Sequence, residues 1–445
     1  MRRVRLWPLE WAGKVAQISR LGNPAMSSAA DVLSPRPMPS NDAKVIALIG
    51  SAHFTSHFFQ MVIPPLFPLL KTALGVNYTE LGLLMTVFYS VSGIGQPIAG
   101  FAVDRFGARS VLVGGIALLG LSMILIAMAP AYWVVLLLMV PAGIGNCVFH
   151  PADYSILSAS VSPARMGRAF GAHALGGTLG WAMAPIVMWN LSQLVDWRFA
   201  LSLVGGLGLC VALIVRAQRG ILREDRAAGA AHGHGAAGAA QPGGASAFTW
   251  RVLATVPILM CFAYFLFLAV AGIALQNFLA PVLELLYGTP IAVGTSALTA
   301  YLFGSAGGII VGGYLSDRTH RHELLVAMGL CGSACLIVLA GHVAFAALAL
   351  NVVLAAAGFL AGNASAARDM LVRSATPRGA TGKVFGFVYS GLDLGSTVAP
   401  AMAGYLIDHH NPAAVLWLVA LGQVLAVATA FGLRRRPARM PQPAE

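Results

Sequence analysis

Twelve predominantly apolar stretches follow one another along this chain, and apolar runs of about twenty residues cross a bilayer as helices. They fall at roughly 44–70, 79–102, 109–129, 131–160, 167–190, 197–217, 251–278, 291–315, 323–342, 344–372, 382–407 and 412–433. The constraint is severe because backbone amides find no water inside lipid, so a spanning segment must be a helix or part of a closed barrel. Composition agrees: 58% of the 445 residues are hydrophobic and 10% are charged, against about 25% charged in soluble domains. The expected fold class is an all-α membrane protein with twelve transmembrane helices.

The chain also repeats itself. Gly100-Phe-Ala-Val-Asp104-Arg105-Phe-Gly107-Ala-Arg109, between helices 2 and 3, recurs as Gly313-Tyr-Leu-Ser-Asp317-Arg318-Thr-His-Arg321, between helices 8 and 9. Arg168-Ala-Phe-Gly171 with Gly176, Gly180 and Pro185 recurs as Lys383-Val-Phe-Gly386 with Gly391, Gly395 and Pro400. The near-constant offset implies one six-helix bundle built twice in the same orientation, a parallel 6+6 repeat of the kind found in transporters.

The net charge of +12 suggests nucleic acid until its placement is examined. With both termini cytoplasmic, 25 of the 28 Lys and Arg residues fall on the cytoplasmic side, Lys71 and Arg198 on the other, and Arg368 within a helix. The positive charge thus encodes topology, and no nucleic-acid partner is expected. The five cysteines all lie in apolar segments, where they read as small packing residues rather than disulfide or zinc ligands.

Composition divides the chain into a disordered cytoplasmic lead-in (1–43), a first bundle (44–217), a flexible cytoplasmic linker (218–249), a second bundle (250–433) and a basic tail (434–445). The lead-in does not read as a signal peptide, and Met26 and Met38 are alternative starts to Met1. His232 and His234 read as linker residues rather than a metal site.

The duplicated loop motif carries the next inference. An acid at the membrane boundary can face the positive end of a neighbouring helix and latch two halves together; a plain helix-ending Asp-Arg pair is the alternative, and duplication favours the latch. Gly100 would admit a close neighbour. These residues and the helix count resemble the major facilitator superfamily over essentially all of 44–434. The resemblance implies alternating access, with Asp104 and Asp317 helping to hold the cytoplasmic side closed. Thr319 and His320 depart from the motif, which implies a weaker second latch. His53, the run Val148-Phe149-His150-Pro151 and the glycine-rich helix 5 are similar to fosmidomycin-resistance-type efflux carriers. Those carriers usually place an acid directly after the His-Pro; here Ala152 intervenes before Asp153.

Glycines 176, 180, 391 and 395 with Pro185 and Pro400 suggest either a flexing helix pair between the halves or static close packing. Within the membrane, an acid is costly and usually marks a pathway. Asp393 lies ten residues past Lys383, or about 15 Å deep at 1.5 Å per residue. Its repeat partner is Thr178, so the fold itself does not demand an acid there. It is the leading candidate for a group that takes and releases a proton.

Helix 1 carries His53, His57 and Gln60, and helix 4 carries Asn146, His150 and Asp153, each set at i, i+4, i+7 on one face. The resemblance implies a cavity lined by helices 1, 4, 7 and 10. His173 in helix 5, with Gln276 and Asn277 in helix 7, completes the candidate set. Histidine titrates near pH 6.5, so His150 with Asp153 suits a proton relay. Transition-metal binding is the weaker alternative, because no cysteine or carboxylate-rich cluster reinforces it; no metal or cofactor is expected. Arg368 and Asp369 read as a local pair in preference to an anion site.

The resulting expectation is a monomeric secondary transporter of the inner (plasma) membrane, exporting a small drug-like organic molecule in exchange for protons. Proton-coupled uptake of a metabolite is the runner-up, followed by metal-ion export or a non-transporting membrane sensor. A membrane enzyme is not expected, because the intramembrane polar groups read as sparse and spread over several helices.

Overall fold

A computed structural model describes residues 40–218, 220–222, 253–319, 321–375 and 381–434. Among them the chain forms twelve spans. The first bundle comprises α1 (Ser40–Gln60, continued past a 3-10 turn at Pro64–Leu66 by Phe67–Leu74), α2 (Tyr78–Phe106) and α3 (Ala108–Ala127). It is completed by α4 (Tyr132–Cys147, continued by Phe149–Ser160), α5 (Met166–Leu194) and α6 (Trp197–Ala217). The second bundle holds α7 (Val256–Tyr287), α8 (Ile291–Arg318), α9 (His322–Ala340), α10 (Ala347–Ala375), α11 (Thr381–Asp408) and α12 (Ala413–Arg434). The predicted lead-in, most of the linker and the basic tail lie outside the described residues.

Ten spans are long and apolar enough to cross a bilayer on composition alone; α5 and α11 fall below that mark. Both are rich in glycine and carry polar groups, and both are packed along protein. Lipid tails are as apolar as leucine, so helices in a bilayer associate through close packing and hydrogen bonds. A Cβ on Gly176 or Gly180 would lie 2.6 Å from the Gly50 carbonyl oxygen or 2.3 Å from that of Phe54, both on α1. A Cβ on Gly391 or Gly395 would lie 2.5 Å from the carbonyl oxygens of Phe262 or Leu266 on α7. The glycines therefore make the same close crossing inside each bundle, α5 on α1 and α11 on α7. The prolines sit elsewhere: Pro400 meets α2 at Gly82, and Pro185 lines a small cavity with α7 and α8 residues.

The halves are joined at the end away from the duplicated loops. One apolar core runs through the first bundle into Leu275, Phe278, Leu298, Leu354 and Val415, all at the end away from the duplicated loops. Near those loops the second bundle keeps a separate core around Phe265, Val326, Ala367 and Val388. At the joined end Phe278 packs on Phe67 and Tyr78, with ring centroids 5.2 and 6.3 Å away. Helices α2 and α11 touch there through Gly82 and Pro400, and through Tyr78 and Gly404. Thr86 donates to the Thr397 carbonyl at 2.8 Å. The Asp408 carboxylate accepts from the Tyr78 and Thr79 amides at 3.0 and 2.7 Å and from the Thr79 hydroxyl at 2.6 Å. An acid of one half thus caps the first turn of a helix of the other, where the helix dipole favours it.

Candidate functional site

The α4 histidine owes its position to a break. Pro151 has no N–H to give the Cys147 carbonyl, and the helix is interrupted at Val148 before resuming at Phe149. From the resumed segment His150 and Asp153 face α1 and α5. Asp153 is fully buried, and one of its oxygens lies 3.4 Å from His53 Nδ1 and 3.1 Å from His173 Nε2. The His53 and His173 rings stack at 3.5 Å. His57 lies 4.3 Å and His150 5.2 Å from His53, between ring centroids. All four histidines of the candidate set, spread over 121 residues from 53 to 173, form one cluster. The expectation of scattered intramembrane polar groups is corrected here: three helices bring five of them together.

Space for the rings comes from Gly177, where a Cβ would lie 2.8 Å from both the His53 ring and His57 Nδ1. The opposite oxygen of Asp153, with Nδ1 of His53, His57 and His150, is buried without a hydrogen-bond partner. Such groups cost about 1–3 kcal/mol each, so the cluster is expensive to keep.

A hydrogen-bonded strip adjoins it. Asn146 accepts from Ser56 Oγ at 3.0 Å and Gln60 Nε2 at 3.2 Å, and donates to Ser92 Oγ at 2.8 Å. Gln60 in turn accepts from Trp181 Nε1 at 3.1 Å, and Trp181 stacks on His57 at 4.2 Å. On the other flank Tyr154 stacks on His150 at 5.8 Å, and both are half-buried, so this is the open side of the cluster. Sequence reasoning missed Ser56, Ser92, Tyr154 and Trp181. Their i, i+4 spacing from Gln60 and His150 could have suggested Ser56 and Tyr154, but serine and aromatics are too common in membrane helices to stand out.

Asp393 is separate from this cluster. Its Cβ lies against Gly93 of α2, where an added Cβ would come within 2.9 Å. Two turns further on, on the same face of α2, an added Cβ at Gly100 would meet nothing within 4 Å, so Asp393 stands where α2 and α11 part. Among the described residues its carboxylate has no hydrogen-bond or ion-pair partner. Thr178, its repeat counterpart, instead donates to the Ala174 carbonyl at 3.0 Å.

Gln276 and Asn277 are not with the histidines. They line the small cavity at the joined end with Pro64, Pro65, Pro185 and Thr295. Arg368 lies 4.9 Å from the Phe265 ring, and the Asp369 side chain is outside the described set. The duplicated loops lie at the parted end. Asp104 and Asp317 are exposed there, and neither has an ion pair or hydrogen bond among the described residues. Arg105 lies over Phe106 and Arg318 over Tyr314, at 5.5 and 4.1 Å. Gly107 has φ of 86° and ψ of 139° between α2 and α3, a conformation open to glycine and strained for other residues. Around Gly100 and Gly313 an added Cβ would meet nothing within 4 Å. The close approach expected at Gly100 is therefore corrected: among the described residues no neighbour comes close to it at that end.

The sequence profile of the Major Facilitator Superfamily matches residues 49–340 and 266–445. The chain belongs to the Major Facilitator Superfamily. Ten of its described helices are long and apolar enough to cross a bilayer, in keeping with a multi-pass membrane protein of this family. It is 29% identical over 143 residues to the uncharacterized MFS-type transporter YfnC of Bacillus subtilis. Over 143 residues it is 26% identical to the fosmidomycin resistance protein of Escherichia coli. Each match covers 32% of this chain, which spans only about a third, 35%, of either relative's length. A longer match, 26% over 274 residues and 60% of this chain, links it to 61% of a probable 4-methylmuconolactone transporter of Cupriavidus pinatubonensis. In fold it is similar to a bacterial homologue of the human lysosomal transporter Spinster, solved inward-facing and unoccupied. The TM-score is 0.65 at 19% identity, covering 90% of this chain and 96% of the other.

Proposed function

We propose that this major facilitator is a proton-coupled secondary transporter that works by alternating access and exports a small, drug-like organic molecule. The observation that carries the coupling is Asp393: an acid without a partner among the described residues, held at the point where α2 and α11 separate. A carboxylate there feels any movement of one half against the other, which is what links protonation to a change of access. The duplicated loops fit a reciprocal role. Exposed and without a partner among the described residues, Asp104 and Asp317 would close their face when the joined end opens. In this reading that face is cytoplasmic, the membrane is the inner (plasma) membrane, both termini are cytoplasmic, and a monomer suffices.

The export reading draws on the fosmidomycin resistance relative. A second reading, proton-coupled uptake of a small metabolite, draws on the longer match to the 4-methylmuconolactone transporter. The test is reconstitution into liposomes loaded with a pH-sensitive dye, using ligands picked from a thermal-shift panel. Export predicts proton flow opposite to the ligand, and uptake predicts proton flow with it. Asp393→Asn should abolish ligand-driven proton movement while the thermal shift survives. Coupled proton flux that persists in Asp393→Asn removes Asp393 as the carrier.

A further inference from the structure

The coupling role given to Asp393 leaves the histidine cluster without a task. One ring nitrogen from each of His53, His150 and His173 lies within 4.8 Å of the other two. Ligands about 2.0–2.1 Å from zinc at tetrahedral angles lie about 3.3 Å apart, so the set needs to close by roughly 1.5 Å. That is within the reach of side-chain rotation at His150, which is half-buried. Asp153 already faces His53 and His173. A carboxylate on one ring nitrogen fixes the tautomer and presents the other nitrogen to a metal, the usual outer partner of a ligating histidine.

The same geometry serves proton relay poorly. His53 and His173 stack face to face, 22° from parallel, so neither ring points its N–H at the other. One divalent ion coordinated among the rings would instead satisfy His150 Nδ1, which is buried without a hydrogen-bond partner. We propose that His53, His150 and His173 form a binding site for one divalent first-row transition-metal ion, with Asp153 as the positioning carboxylate. The site joins α1, α4 and α5 within the first half, and the ion reaches it from the open side, past His150 and Tyr154.

The test uses the full chain, free of any polyhistidine tag, in detergent. Equilibrium dialysis with Zn²⁺ should give about one ion per chain. Co²⁺ should give visible absorption that an excess of Zn²⁺ removes. His150→Gln is the informative variant, because this residue is only half-buried. It should weaken Zn²⁺ binding at least about tenfold, and Asp153→Asn should weaken it about 10–100-fold while shifting the Co²⁺ spectrum of whatever still binds. His409→Gln, exposed at the joined end, should leave binding unchanged. Wild-type protein that takes up no stoichiometric Zn²⁺ overturns the site. So does a His150→Gln protein, or a His53→Gln protein that still melts cooperatively, with wild-type affinity. Loss of coupling at Asp393 leaves all of these outcomes untouched, so the two proposals fail separately.

Discussion

The Asp408 cap offers the most direct measure of what holds the halves together. Replacing Asp408 with Ala removes the acceptor for the Tyr78 and Thr79 amides and the Thr79 hydroxyl. Hydrogen bonds to charged groups contribute about 1.5–3 kcal/mol each when well buried. This site is only part-buried, and once the end opens, water replaces much of what is lost. A net cost of about 2 kcal/mol to the closed end is therefore reasonable for all three bonds. At 1.4 kcal/mol per tenfold, that is a shift of roughly 30-fold toward the open end. A population of about 1% open would rise to about a quarter. The reporter is Thr295→Cys, since Thr295 is buried at 2% exposure beside the joined-end cavity. With the native cysteines replaced, its labelling rate with a water-soluble maleimide follows opening of that end. Asp408→Ala should raise this rate by about the fraction opened, and Asp408→Asn, which keeps one carbonyl acceptor, should raise it less. A labelling rate equal to the parent's in Asp408→Ala would refute the cap as a determinant of closure.

Two further expectations follow from single positions. Gly107→Ala should destabilise the protein by about 1–3 kcal/mol through its backbone conformation, while Gly100→Ala, with open space around it, should stay within about 0.5 kcal/mol; paired thermal melts in detergent check the contrast, and equal melts would remove the argument from φ. Asn146→Leu should cost about 1–3 kcal/mol by leaving Ser56, Gln60 and Ser92 without their shared partner, and a melting temperature equal to wild type would show that the strip does not stabilise the fold.

Much of the architecture was legible because lipid imposes simple rules. Span length, loop charge and repetition are one-dimensional signals, and they gave twelve helices in two parallel sets. Helical periodicity likewise placed His53, His57 and Gln60 on one face and Asn146, His150 and Asp153 on another. Periodicity does not say which faces meet. The weight against metal rested on the absence of a local ligand cluster, and α1, α4 and α5 assemble one from residues too far apart in sequence to signal it. Gln276 and Asn277 show the converse: helix position suggested the same site, yet they line a cavity at the joined end.

The loop motif marks the boundary between the two kinds of knowledge. From sequence, a boundary acid facing another helix's N-terminus was expected at Asp104 and Asp317. In the structure that device is made at the other end, by Asp408 on Tyr78 and Thr79, while the motif acids stand exposed. By itself the sequence determined what must be buried in lipid, because each residue's transfer cost is its own property. Only the tertiary structure decided which ends are closed, which glycines pack within a bundle, and which polar groups share a site. Those depend on distances between helices, and a chain can write them only in pairs of residues far apart.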